Sequence, residues 1–137
     1  MTFQISQNNN RIDLAFSATL SNVDRAADMT KSFLITAGLE KQVFGVLLGL
    51  REALNNAVLK GCKQNRRKTV LYHIEHQRDR LILKVEDEGN GFDWRQHLGK
   101  RPIPTMETGR GVPILEKYFE TIWFNEKGNK LVLVKFL

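Results

Sequence analysis

The chain has 137 residues, of which 42% are hydrophobic and 26% are charged, which predicts one globular domain over residues 1–137 with its own core. No apolar run approaches the roughly 20 residues that span a bilayer, which argues against a membrane-spanning helix. The net charge of +6 is compatible with binding to nucleic acid, to an acidic protein or to a polyanionic small molecule, and does not separate these partners.

The first ten residues are polar and lack the basic-then-apolar pattern of a signal sequence, so we expect a cytoplasmic protein. The next segment, Arg11–Ser17, alternates between apolar and polar side chains, which predicts a half-buried strand. The apolar side of this strand consists of Ile12, Leu14 and Phe16.

A first helix is predicted over about residues 23–37, because apolar side chains recur there with helical spacing. Ser21 or Asn22 is the predicted N-cap, and Gly38, a residue suited to a left-handed C-terminal position, ends the helix. The predicted buried face consists of Val23, Ala26, Ala27, Thr30, Phe33 and Leu34.

A second helix is predicted over about residues 40–61, followed by the single cysteine, Cys62. This cysteine has no cysteine or paired histidine at zinc-ligand spacing, which indicates a reducing compartment and no structural metal.

The densest basic cluster surrounds Cys62 and is predicted to be a solvated connection between a helix and a strand. It comprises Lys60, Lys63, Arg66, Arg67 and Lys68. It contains no aromatic side chains that would stack on bases, which argues against a nucleic-acid site.

The rest of the chain predicts strands at residues 69–75 and 80–87, a helix at residues 113–119 and a closing hairpin of residues 121–125 and 131–137. The helix points Ile114, Leu115, Tyr118 and Phe119 inward. Residues 88–111 are rich in glycine, proline and charge, and their length indicates a functional lid loop. This order predicts an α+β two-layer sandwich, in which helices cover one face of a mixed, mostly antiparallel sheet.

The second helix carries a carboxylate and an amide on the side opposite its core stripe. Glu52 and Asn56 lie one turn apart and so on one face. Their neighbours are Gly45, Leu48, Gly49 and Leu59 instead of the charged residues of a solvent face. The two glycines suggest that something approaches the helix backbone closely, and a covered carboxylate needs a partner or a ligand. The alternative is that Arg51 or Lys60 pairs with Glu52 at the surface.

Two glycine-containing segments follow. Asp87-Glu88-Gly89-Asn90-Gly91 leaves a predicted strand with an aspartate at its end, and its alternative interpretation is an ordinary tight turn. Gly109-Arg110-Gly111 leads into the helix predicted to begin at Pro113. Glycines at such a place let backbone N–H groups converge on an anion, and the helix dipole favours negative charge there.

Taken in this order, the helix motif and the two glycine segments resemble the ATP-binding superfamily shared by gyrase, heat-shock chaperones, histidine kinases and mismatch-repair proteins. Within that superfamily, the segment Arg51-Glu52-Ala53-Leu54-Asn55-Asn56-Ala57 is similar to the anti-sigma-factor serine kinases of bacterial partner-switching systems. The resemblance extends from Phe16 and Ser17 to the final strand.

The resemblance implies a role for three polar residues. The family glutamate acts as general base on a serine or threonine hydroxyl of an anti-anti-sigma (STAS-type) protein, and Glu52 holds its position. Asn56 matches the asparagine that binds Mg²⁺ through its side-chain oxygen. Asp87 matches the aspartate that accepts a hydrogen bond from the adenine amino group. The implied ligands are therefore ATP and Mg²⁺.

The resemblance also implies further contacts. Arg25 lies near a family arginine that contacts the protein partner, and family members form homodimers and sequester a sigma factor. Residues matching the nucleotide site are Lys60, Gly89, Gly91, Gly109, Arg110 and Gly111.

Three positions depart from the family pattern, and two other functions stay open. An arginine near the lid glycines is replaced by Glu107, a hairpin Gly-Thr-Thr reads Gly128-Asn129-Lys130, and Pro113 follows the second lid glycine. The chain could therefore be a nucleotide-binding regulatory module without phosphotransfer. It could also be the ATPase domain of a sensor histidine kinase, although His73 and His76 fall on a predicted strand and not on a dimerisation helix.

Overall fold

The structure, a computed structural model, describes residues 2–89 and 107–137, and only the backbone of residues 107–112. Within these ranges the chain forms six strands and three helices, with a 3-10 turn before the second helix and a π-helical turn after it. The elements are β1 (Phe3–Gln7), β2 (Arg11–Ser17), α1 (Leu20–Thr36), the 3-10 turn (Glu40–Gln42), α2 (Val43–Asn56), the π-helical turn (Ala57–Gly61), β3 (Thr69–Gln77), β4 (Arg80–Asp87), α3 (Glu107–Tyr118), β5 (Thr121–Phe124) and β6 (Lys130–Phe136).

The six strands form one sheet in the order β1-β2-β3-β4-β6-β5. The predicted α+β two-layer sandwich is confirmed, and the sheet is antiparallel throughout the described strands. Because β6 folds back from β5 in a hairpin, it inserts between β5 and β4. The connection through α3 therefore links two strands that run in the same direction without being neighbours.

The core lies between the helices and one face of the sheet. Ile12, Leu14 and Phe16 of β2 are buried, as their alternation predicted. The buried face of α1 consists of the six residues predicted for it. One of them is polar: the Thr30 hydroxyl lies 2.9 Å from the Ala26 carbonyl oxygen and 2.8 Å from the Tyr72 hydroxyl. These contacts satisfy a buried group that would otherwise destabilise the core.

The start of α1 differs from the prediction. The N-cap is Thr19, whose hydroxyl accepts a hydrogen bond from the Asn22 N–H at 3.2 Å. Ser21 and Asn22 lie inside the first turn, because Thr19 still has the extended backbone that a cap requires. The Asn22 side chain instead donates to the Ser17 carbonyl at 2.9 Å. At the other end Gly38 has φ +76°, as predicted for the residue that ends the helix.

Two glycines of α2 lie where aromatic side chains pack against the helix. A β-carbon at Gly49 would overlap the buried ring of Phe119, and one at Gly45 would lie 2.8 Å from Cδ1 of the half-buried Tyr118. The close approach inferred from these glycines is therefore made by the end of α3 and the residue after it. One side of α2 faces the sheet core, and another is covered by this contact.

Replacing Gly49 with alanine is expected to lower the free energy of unfolding by about 1–3 kcal/mol, because the Phe119 ring is buried and has little space to move. Gly45→Ala is the matched control. There the half-exposed Tyr118 can rotate away, and alanine returns about 1 kcal/mol of helix propensity. Urea unfolding of both variants tests this difference, and equal effects would contradict it.

The connection between the π-helical turn and β3 is exposed at residues 63–67, so the predicted solvated basic connection is confirmed. His73 and His76 lie on β3, which ends at Gln77, two residues beyond the strand predicted for residues 69–75. Nδ1 of His73 is 2.7 Å from Oδ1 of Asp13. In the part of the chain that the structure describes, no helix has the length and apolar composition needed to cross a membrane.

Candidate functional site

The end of β4 and the two residues after it pack closely against the π-helical turn. The turn is closed by a hydrogen bond from the Cys62 N–H to the Ala57 carbonyl at 2.8 Å. A β-carbon on Gly61 would lie 2.5 Å from Oδ1 of Asp87, and one on Gly89 would overlap the Gly61 carbonyl group. The wide turn thus brings its own backbone, at Gly61, against the aspartate. Turns of this kind are rare and frequently lie at functional sites.

Asp87, the last residue of β4, is a buried carboxylate with 7% of its surface exposed. Burial raises the pKa of this carboxyl to about 6, against the opposing effects of the Gly89 N–H and the charges of Lys127 and Lys68. Its Oδ1 accepts the Gly89 N–H at 2.7 Å. The carboxylate thus lies at a site that is unfavourable for charge, where a hydrogen-bond donor stabilises it.

Asn56 and Asp87 line the same small cleft, between α2, the π-helical turn, β4 and the hairpin of β5 and β6. The lining combines apolar side chains with polar groups at the end of β4 and in the hairpin. The residues that line it are Ala53, Asn56, Ala57, Gly61, Val85, Asp87, Phe124, Gly128, Asn129, Lys130 and Leu131. The cleft therefore joins two residues that the sequence proposed separately.

Glu52 lies one turn before Asn56 on α2 and is half-buried. Because α2 is regular up to Asn56, the two side chains start from the same face of the helix. Arg51, considered above as a partner of Glu52, donates from Nη1 to Oδ1 of Asp24 at 2.7 Å and so connects α2 to α1. Lys60 is exposed in the π-helical turn.

Residues 16–135 match the family model of the histidine kinase-like ATPase domain. The chain belongs to this family. No curated protein sequence matches the chain at a significant level. Histidine kinase-like ATPase domains bind ATP, generally together with Mg²⁺. The residues present suit such a ligand, because the Asp87 carboxylate can accept from an amino group and the Asn56 amide offers Mg²⁺ the oxygen ligand it prefers.

The second glycine pair of this ATPase domain differs from the prediction. The helix expected to begin at Pro113 begins at Glu107, so Gly109, Arg110 and Gly111 lie within α3. Part of the predicted lid is therefore helical. Glycine and proline mark a break in sequence, but Leu115 and Phe119 anchor the helix against α2, and packing outweighs local propensity. Asn90 and Gly91 of the first segment lie outside the described residues.

Arg25 is separate from the cleft lining. It is exposed on α1, and its guanidinium carbon lies 4.0 Å from the centroid of the Phe3 ring, which stacks on Phe16. A stacked guanidinium loses part of its rotamer freedom before any partner binds. The ATPase domain thus carries an arginine with restricted rotamers on a surface outside the cleft.

Sequence reasoning missed two parts of the cleft. Gly61 was interpreted only as the end of a helix, although it provides the contact with Asp87. Asn129 was noted only as a departure from the family pattern, yet its Nδ2 donates to the Asp87 carbonyl at 2.9 Å. The sequence carries no signal for the Gly61 contact, because it depends on the π-helical turn, whereas the signal for Asn129 is a polar side chain in the closing hairpin.

Proposed function

We propose that the chain is an ATP-binding anti-sigma factor that phosphorylates a serine or threonine of an anti-anti-sigma protein of the STAS type. The observation that carries this proposal is that the buried Asp87 carboxylate lines one cleft with Asn56. Asn56 lies one helical turn beyond Glu52 on α2. A buried carboxylate costs stability, which favours a role in binding a hydrogen-bond donor. The amino group of adenine is such a donor.

In the proposed reaction Glu52 is the general base. Its carboxylate accepts the proton of the attacking hydroxyl while the new oxygen–phosphorus bond forms, and ADP leaves with the bridging oxygen. Asn56 would hold Mg²⁺, which offsets the charge of the phosphates when it is bound. Lys60, Gly89, Gly91, Gly109, Arg110 and Gly111 complete the proposed nucleotide site.

The proposed protein partners are the anti-anti-sigma protein and a sigma factor, with a second copy of the chain in a homodimer. Arg25 is the proposed partner contact. Its support is the stacking of the guanidinium on Phe3, which lowers the entropy lost when a carboxylate or phosphate of a partner binds. Binding to nucleic acid or to membranes is not part of the proposal.

A second candidate is a regulatory module that binds nucleotide without transferring phosphate. It is favoured by the position of Gly109 and Gly111 inside α3 instead of in a loop before it, and by Glu107 and Lys130 at positions where the family pattern differs. A sensor histidine kinase ATPase domain is a third candidate. Its phosphoacceptor would have to come from another segment, because His73 and His76 lie on β3.

The kinase proposal predicts that γ-labelled ATP transfers its label to the anti-anti-sigma protein encoded nearest to this chain. Glu52→Gln is expected to slow transfer about 100-fold or more, because it removes the general base. The increase in Tm produced by Mg-ATP should stay as large as in the wild type, since Glu52 is not assigned to nucleotide binding. Labelling rates and thermal unfolding measure the two effects separately.

Glu40→Gln is the matched control, because Glu40 is an exposed glutamate in the 3-10 turn before α2. It should transfer phosphate at the wild-type rate. Absence of labelling at any enzyme level, with a normal Mg-ATP shift, would replace the kinase by the regulatory module. Absence of any shift in the wild type would reject both.

A further inference from the structure

Asn129 is joined to Asp87 by two hydrogen bonds. Its side-chain Nδ2 donates to the Asp87 carbonyl at 2.9 Å, and its own carbonyl accepts the Asp87 N–H at 2.9 Å. Its Oδ1 accepts from Nδ2 of Asn125 at 2.7 Å. Both ends of the Asn129 amide are thus used. Because only the NH₂ group can donate to a carbonyl, these bonds also fix which way the amide points.

Asn125 holds the turn in which Asn129 lies. Its Oδ1 is the acceptor for three successive backbone N–H groups, those of Gly128 at 2.8 Å, Asn129 at 3.1 Å and Lys130 at 3.2 Å. Gly128 has φ +80°, a left-handed conformation that glycine adopts without strain. The hairpin between β5 and β6 therefore presents Asn129 in one orientation.

The end of β4 is consequently held from two sides. The π-helical turn closes one side, where Gly61 leaves no space for a β-carbon beside the Asp87 carboxylate. Asn129 closes the other side through the main chain of the same residue. A carboxylate that recognises one amino group must stay within a few tenths of an ångström of its place. The two contacts supply that restraint.

We infer that Asn129 is a positioning residue for recognition of the base, and that it acts by fixing the main chain of Asp87, with Asn125 orienting its amide. The inference rests on the proposed nucleotide function. In that function the Asp87 carboxylate accepts from the adenine amino group and repels the carbonyl oxygen that guanine carries at the same position, so we expect Asn129 to affect the selection of adenine over guanine nucleotides.

The test compares ADP and GDP binding to the full chain by titration calorimetry. Asn129→Ala is expected to weaken ADP binding about tenfold and to leave the weaker GDP binding nearly unchanged, so the ADP-to-GDP affinity ratio falls. Asn129→Asp keeps the shape of the side chain and still accepts from Asn125, but it puts an oxygen against the Asp87 carbonyl. It is expected to lower the ratio at least as much.

Asn8→Ala is the matched control for loss of hairpin stability. Oδ1 of Asn8 accepts the N–H groups of Asn10 and Arg11 at 2.8 and 3.0 Å in the hairpin of β1 and β2, at the other edge of the sheet. This variant should keep the wild-type ratio. A wild type that binds neither nucleotide would reject the proposed function. A wild type that prefers ADP, with an unchanged ratio in a folded Asn129→Asp, would overturn the role of Asn129 alone.

Discussion

Gly89→Ala is expected to lower the free energy of unfolding by more than about 2 kcal/mol and to weaken ADP binding at least about tenfold. A β-carbon at this position would overlap the carbonyl group of Gly61. A flexible side chain could yield to such an overlap, but a backbone group cannot move alone. Either the π-helical turn or the segment after β4 must shift, and Asp87, the last residue of β4, contacts both. Urea unfolding and calorimetric titration with ADP measure the two losses.

Gly38→Ala is the control for this prediction. Gly38 has φ +76° and open space around its α-carbon, so alanine there meets backbone strain without a steric contact. We expect a loss of about 1 kcal/mol and an unchanged ADP affinity. If Gly89→Ala behaved like Gly38→Ala in both measurements, the tight packing between the π-helical turn and the end of β4 would not be required for ADP binding.

Much of the fold could be predicted because periodicity reports burial directly. The buried face of α1 and the inward side of β2 follow from spacing alone. β1 was missed, because its sequence is mostly polar and its side chains are largely exposed. It exists because its backbone pairs with β2 and Phe3 stacks on Phe16 with ring centroids 5.5 Å apart. Pairing with a neighbouring strand leaves little trace in composition.

The internal geometry of the second helix could not be predicted from residues that are neighbours along the chain. Its extent from residue 40 to residue 61 was predicted, but it contains a 3-10 turn, a regular helix and a π-helical turn. The change to π geometry coincides with the contact between Gly61 and Asp87, two residues far apart in sequence. Propensity describes neighbours along the chain, so it cannot register a contact of this kind.

The candidate site shows the same division. Asp87 and Asn56 carry chemistry that a motif can signal, and the structure brings both to one cleft. The Asn129 side chain instead donates to the main-chain carbonyl of Asp87, and any residue type at that position has such a carbonyl. A motif therefore identifies the groups that meet a ligand more readily than the groups that hold them in place.

Asp87→Asn is expected to weaken ADP binding about tenfold to a hundredfold at pH 7.5, because it replaces a charged acceptor for the base amino group. In the wild type, affinity should rise as the pH rises through about 6, the pKa to which burial raises this carboxyl. The variant should lack that rise. Since the phosphates of ADP titrate equally in both experiments, the ratio of the two affinities isolates Asp87.

The same carboxyl should affect stability with the opposite sign. In the unfolded chain it ionises near pH 3.8, whereas in the folded chain its pKa is about 6, so the folded state binds more protons between these values. The contribution of this group to the free energy of unfolding therefore falls as the pH rises from about 4 to about 6 and is constant above that. In urea unfolding, the free energy of unfolding of Asp87→Asn relative to that of the wild type should increase by on the order of 2 kcal/mol across this window.

These opposite trends distinguish a ligand-binding carboxylate from a structural one. A carboxylate held by ion pairs has a lowered pKa and stabilises the fold as the pH rises. Asp87 instead costs the ligand-free domain stability over the pH range in which it becomes able to accept from a base. If the wild type and Asp87→Asn showed parallel stability profiles from pH 4 to 7, the carboxyl would titrate as an ordinary surface group, and the expected rise in ADP affinity through about pH 6 would lose its basis.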